Sequence, residues 1–168
     1  MGLVKLLFRT MPTAMLLVAS ASGTAWGHFQ VLIPSRDVVS ATDGRTVELD
    51  LIFTHPMENG PVMPMGRPKQ FGVLAGGEKH DLLDTVVAGQ VDGKTVHACS
   101  ARLLRPGDHV FYLEPAPYWE PAEKKMIIHY TKVVVDFLGA QTGWDALVGM
   151  PVEIEPLTRP YGLWTGNT

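Results

Sequence analysis

"TVELDLIFT", residues 46–54, decides the fold. Val47, Leu49, Leu51 and Phe53 alternate with Glu48, Asp50 and Thr54. A period of two sends apolar side chains to one face of an extended chain and polar ones to the other, which is the pattern of a half-buried strand. The same reading extends to "FQVLI" (29–33), "KQFGVLA" (69–75), "KTVHACSARLL" (94–104), "HVFYLEP" (109–115), "KMIIHYTKVVVDF" (125–137) and "PVEIEPL" (151–157). Each run is short, β-branched or aromatic, and bounded by turn residues. "ATDGRT", "VDGK" and "RPGDH" supply Asp-Gly or Pro-Gly turn chemistry. One helical turn is expected around "TGWDAL" (142–147), and "DLLDTVVAG" (81–89) fits either class. These features predict an all-β fold, an antiparallel β-sandwich of immunoglobulin-like or transthyretin-like size, over residues 28–157.

Upstream of this domain, residues 1–27 read as a secretory signal that is removed. Lys5 and Arg9 form its basic start, "MLLVASA" (15–21) its apolar centre, and Ala25 and Gly27 the small residues of a cleavage site. A cut after Gly27 leaves His28 as the mature N-terminus; cuts after Ala21 or Ala25 satisfy the same rule. Arg9, Pro12 and Ser20 interrupt the apolar run, so no membrane anchor is expected after cleavage. The 168-residue chain carries a net charge of −3 and no basic run, which argues against nucleic acid as a partner. Cys99 is the only cysteine, so no internal disulfide can form; within its alternating stretch it reads as a buried thiol. The compartment expected is the periplasm.

Two segments break the strand pattern. "HPMENGPVMPMGRP" (55–68) is a loop with four prolines and three methionines, and "EPAPYWEPAEKK" (114–125) carries a Tyr118-Trp119 pair. Long irregular loops on a compact sandwich are where binding usually resides. No nucleophile elbow, phosphate loop, dinucleotide fingerprint or paired-carboxylate pattern is present, and the protein is not expected to be an enzyme.

Of the six histidines, His80, His97 and His109 read as ordinary surface, sheet or structural residues. His55 continues the inward parity of Val47 to Phe53 and then meets Pro56, so it belongs at the rim of the core. His129 sits in an otherwise apolar run, where an imidazole needs a backbone carbonyl, a carboxylate such as Glu120 or Glu123, or a metal. His28, as an N-terminal residue, would chelate through both its α-amine and Nδ1. A further imidazole completes a nitrogen set suited to Ni(II) or Cu(II). Met57, Met63 and Met65 either pack as adaptable filler or offer thioether sulfur, and Glu58 and Glu120 are weaker candidates for orienting an imidazole.

"HFQVLIPS", "THPMENGPVMPMG", "HVFYLEPAPYWEPAEKKMIIHYTKVVVD", "GWDALVGMPVEIEPL" and "RPYGLWTGN" together resemble a bacterial domain-of-unknown-function family, number 4198. Its members are often described as periplasmic components of nickel or cobalt uptake systems. The resemblance implies a sandwich, export, and delivery of Ni(II), Co(II) or another transition metal to a membrane importer of the ABC or energy-coupling type. It also implies histidines matching His28, His55 and His129 at the site. Similar proteins continue into a second sandwich module, so residues 158–168 are expected to begin a linker or a truncated second unit. A second reading makes the domain an interaction or adhesion module that works through the Tyr118-Trp119 loop.

Overall fold

The computed structural model describes residues 28–121 and 123–162, with Glu58 described by its backbone alone; the signal segment expected over 1–27 and residues 163–168 lie outside them. Two sheets face each other. In the first, β1 (Phe29–Pro34), β3 (Thr46–Thr54), β7 (Lys94–Arg102) and β6 (Val87–Val91) run in the order β1-β3-β7-β6. The second holds β2 (Val38–Val39), β11 (Thr131–Phe137), β8 (Gly107–Glu114), β4 (Gln70–Ala75) and β5 (Glu78–Asp81), ordered β2-β11-β8-β4-β5. A separate hairpin joins β9 (Tyr118–Glu120) to β10 (Lys125–Ile127). All pairings are antiparallel except β2 with β11, which is parallel. The all-β sandwich expected from residues 46–54 is the fold.

Alternation drives the packing. Along β3, Val47, Leu49, Leu51 and Phe53 are buried while Thr46, Glu48 and Asp50 are exposed. They meet Phe71, Phe111, Leu113, Val135 and Phe137 of the opposite sheet in one contiguous core. Strand β8 does not alternate, because both of its faces are covered. Phe111 and Leu113 point into the sandwich; Val110 and Tyr112 point outward, where Val134, Val148, Trp144 and Tyr161 close over them. The segment from 143 to 162 therefore acts as a strap across the outer face of the second sheet.

That strap corrects the strand expected over 151–157, which has no ladder partner and no strand conformation. Pro151 and Pro156 lack amide donors. The Glu153 carboxylate instead accepts the backbone N–H groups of Val148 (2.9 Å), Gly149 and Met150 (2.8 Å) and pairs with the Lys132 ammonium at 2.9 Å. Burial alone would raise this carboxyl, but the amides of Val148 and Met150 and the Lys132 charge outweigh it and hold it at about 2. The turn at 143–146 closes with one bond, Ala146 N–H to Gly143 O, and does not become a helix. The expected run 125–137 also divides: residues 128–130 leave the strand conformation, so His129 sits at a break and not within a strand.

Candidate functional site

The first and third strands build the site by parity. Their register pairs Phe29 with Thr54 and Gln30 with Phe53. One step beyond the last pair, His28 stands opposite His55. On β1 the inward side chains are Gln30 and Leu32, and on β3 they are Leu51 and Phe53. His28 and His55 extend those two inward rows, so both imidazoles reach the open end of the sandwich. Their ring centroids are 4.5 Å apart, and the His28 ring stacks on Phe53 at 5.8 Å.

The hairpin supplies the third wall. Glu120, buried on β9, places Oε2 3.2 Å from His28 Nδ1. Tyr118 lies edge-on to Phe53 at 4.6 Å, to His129 at 5.5 Å and to His28 at 6.0 Å, and its hydroxyl donates to His28 O at 3.4 Å. Burial, reinforced by Glu120 and Glu123, pushes the Tyr118 phenol above its ordinary range, so it stays a neutral donor. His129 stands 5.5 Å from Phe29 and 6.3 Å from Phe53, ring to ring. Burial lowers its pKa, and the nearby His28 lowers it further, so the ring is held neutral. Among the described residues its buried Nδ1 has no hydrogen-bond partner.

The loop after β3 is shaped around His55. Gly60 N–H donates to His55 O at 3.0 Å, and Thr54 Oγ1 donates to Gly60 O at 2.9 Å. A Cβ on Gly60 would lie 2.6 Å from His55 Cβ, a separation atoms cannot adopt, so only glycine lets the loop pass this close. Asn59 turns the chain with a left-handed backbone, φ 48°.

The structure therefore brings His28, His55, Glu120 and His129 to one end of the sandwich. It separates the methionines from them by role: Met65 is a core residue, Met63 packs partly against the core and bridges to Phe53, and Met57 is 90% exposed. The side chain of Glu58 lies outside the described residues. His109 is structural as expected: its Nε2 accepts from Leu104 N–H at 3.0 Å and Nδ1 contacts Gly107 O at 3.1 Å. His97 is more buried than a surface role allows; it shares the inward parity of Cys99 and Ala101, and burial lowers its pKa. Cys99 is buried, its thiol pushed up by burial, with Thr85 Oγ1 at 3.1 Å. Among the described residues, no three His, Cys, Asp or Glu side chains already surround a common point as a metal ion would require.

The family pattern described as "Domain of unknown function (DUF4198)" matches residues 25–168. The chain belongs to this family. No curated protein matches the sequence. The matched span contains the whole sandwich and every histidine of the candidate site.

Proposed function

We propose that this DUF4198 domain is an exported, periplasmic protein that binds a divalent transition metal, Ni(II) before Co(II) or Cu(II), and passes it to a membrane importer. The observation that carries the reading is the register that sets His28 opposite His55, with Glu120 3.2 Å from His28 Nδ1. Two ligands about 2.0–2.2 Å from one ion, at right angles, stand about 2.9 Å apart. The His28–Glu120 pair is within a few tenths of an ångström of that spacing. The ion would replace the proton between nitrogen and carboxylate while Glu120 stays as an oxygen donor. His55 adds a second imidazole from the same face. Removal of residues 1–27 would free the His28 α-amine, which closes a six-membered chelate with Nδ1 and completes the donor set that the side chains leave short. Nitrogen donors joined by one carboxylate suit Ni(II) and Cu(II), and the thioethers that would favour Cu(I) lie in the core or in solvent. The ion is cargo: a partly open site on rim residues permits release as well as capture.

The test uses the protein begun at His28 and the same protein with one glycine ahead of it, titrated with Ni(II) by calorimetry. The chelate predicts that the added residue weakens binding 100-fold or more, whereas equal affinities would sink it. Between the ordinary imidazole pKa of about 6.5 and the α-amine pKa of about 8, affinity should rise about tenfold per pH unit, because one proton, that of the α-amine, must leave.

The interaction-module reading keeps one observation in its favour. Trp119 and Met126 form a cross-strand pair on the β9–β10 hairpin, and Trp119 is 55% exposed. Tyr118, by contrast, is committed to packing against Phe53. Trp119→Ala should leave Ni(II) affinity unchanged; if this exposed pair is instead the docking point of an importer, it should lower transfer of the ion to membranes that carry one.

A further inference from the structure

The outermost strand of a sheet leaves one row of N–H and C=O groups unpaired, and natural sheets blunt such edges against other chains. Among the described residues, β1 and β6 end the first sheet, and β2 and β5 end the second. Three of these edges are blunted. β5 carries charged side chains at Glu78, Lys79 and Asp81. β2 is two residues long. β1 ends in Pro34, and its Gln30 O accepts the Thr131 hydroxyl at 3.1 Å. β6 differs: "VAGQV" holds neither charge nor proline, and all of its residues are exposed.

The hairpin fixes which groups of β6 face outward. It turns through Asp92 and Gly93, with φ of 50° and 72°, and pairs Val91 with Lys94. In such a two-residue turn the flanking pair exchanges both backbone bonds, and alternation gives Gly89 and Val87 the same role. Ala88 and Gln90 then aim their N–H and C=O groups away from β7. One further bond agrees: Thr95 stands opposite Gln90, yet its O accepts the Met65 N–H at 3.0 Å, from the segment bridged to β3. Val87, Gly89 and Val91 share one side of the strand, with Val87 63% and Val91 41% exposed. The fold of one copy does not require glycine at position 89. Its φ is not positive, and a Cβ there would meet Val96 Cγ2 at an ordinary 3.8 Å. Glycine inside a strand weakens it and often marks the approach of another backbone.

We propose that β6 pairs antiparallel with β6 of a second copy of this chain, about a two-fold axis at Gly89, joining two four-stranded sheets into one. The occupant follows from the symmetry of the strand. With Gly89 opposite Gly89, Ala88 of each copy meets Gln90 of the other, and these are the residues whose backbone groups are free to be exchanged. Val87 of each copy then meets Val91 of the other in the non-hydrogen-bonded position, where side chains approach most closely. No charge is opposed or buried, and a two-fold contact closes at two copies. This pairing is independent of the metal reading.

The test is sedimentation of the protein begun at His28, with chelator present, from about 1 µM to about 1 mM. The mass should rise to twice that of one copy and stop there. A strand-to-strand contact is small, so the dimer should fill towards the upper end of the range. Val87→Glu with Val91→Glu sets like charges opposite each other and should weaken association roughly tenfold or more. Val87→Lys with Val91→Glu sets opposite charges at the same points and should restore it. Amide exchange reads the same register without any variant: Ala88 and Gln90 should become protected as the concentration rises. A chain that stays monomeric throughout the range, or growth beyond two copies, overturns the proposal. So does association that the paired glutamates leave unweakened, a lysine–glutamate pair no better than two glutamates, or Ala88 and Gln90 amides that stay unprotected.

Discussion

Glu153→Gln should loosen the strap that covers the outer face of the second sheet. The carboxylate is 7% exposed, pairs with the 10%-exposed Lys132, and accepts three consecutive backbone amides. A carboxyl held at about 2 in the fold, against an ordinary 4.5, represents roughly 3 kcal/mol of preference for the charged form. Glu153 is only partly buried as a residue, and solvent screening trims this to about 2 kcal/mol. Glutamine keeps the shape but leaves the buried Lys132 ammonium uncompensated, so the loss should not fall below that figure. In a domain of this size, about 2 kcal/mol corresponds to roughly 6–8 °C in Tm. The sign with pH follows from the lowered pKa. Glu153 contributes stability that is present above about pH 4.5 and is lost as pH falls towards 2. Urea unfolding of both proteins between pH 2.5 and 7 is the assay. The wild type should lose its advantage over the variant across pH 4.5 to 2. A variant within 0.5 kcal/mol of the wild type at pH 7, or an unchanged advantage at pH 2.5, would refute the reasoning.

Gly60→Ala forces a Cβ onto His55 Cβ, so it should cost about 1–3 kcal/mol and at least tenfold in Ni(II) affinity, read by thermal melts and calorimetry. Asp108 is buried, which raises its carboxyl, and Asp136 lies directly opposite on β11; among the described residues neither oxygen of the Asp108 carboxyl nor the Tyr161 hydroxyl has a hydrogen-bond partner. The neutral acid is therefore favoured in the fold. Its stabilisation is complete below about pH 4 and is lost as pH rises through the elevated pKa. Asp108→Asn should remove that decline, and melting temperatures measured from pH 3.5 to 8 would show its slope disappear. His55→Ala should abolish tight Ni(II) binding while His80→Ala leaves it intact, since His80 lies on β5, away from the cluster; a titration of the two variants side by side distinguishes them.

How far the sequence reached depended on whether a feature was local. The parity of Val47 to Phe53 is written in consecutive residues, and it carried both the fold class and the inward direction of His55. His97 was open to the same argument through Cys99 and Ala101, two and four residues on. The meeting of His28 with His55 was not legible, because it depends on the register between β1 and β3, which no residue of either strand states alone. Glu120 came into place through a hairpin whose first strand, Tyr118–Glu120, hid in a proline-rich stretch. "PVEIEPL" alternates as a strand would, yet its Glu153 accepts the amides at 148–150 and two of its residues are prolines. The burial of Asp108 had no local signal, since its cover comes from Tyr161, more than fifty residues away.

The central claim is that His28 becomes a free N-terminus and holds a metal ion together with His55 and Glu120. Native mass spectrometry of the protein exported from cells grown with Ni(II) tests both halves at once. The account predicts a chain that begins at His28 and retains one Ni(II). A chain cut elsewhere, or a chain beginning at His28 that carries no metal after exposure to excess Ni(II), would contradict it.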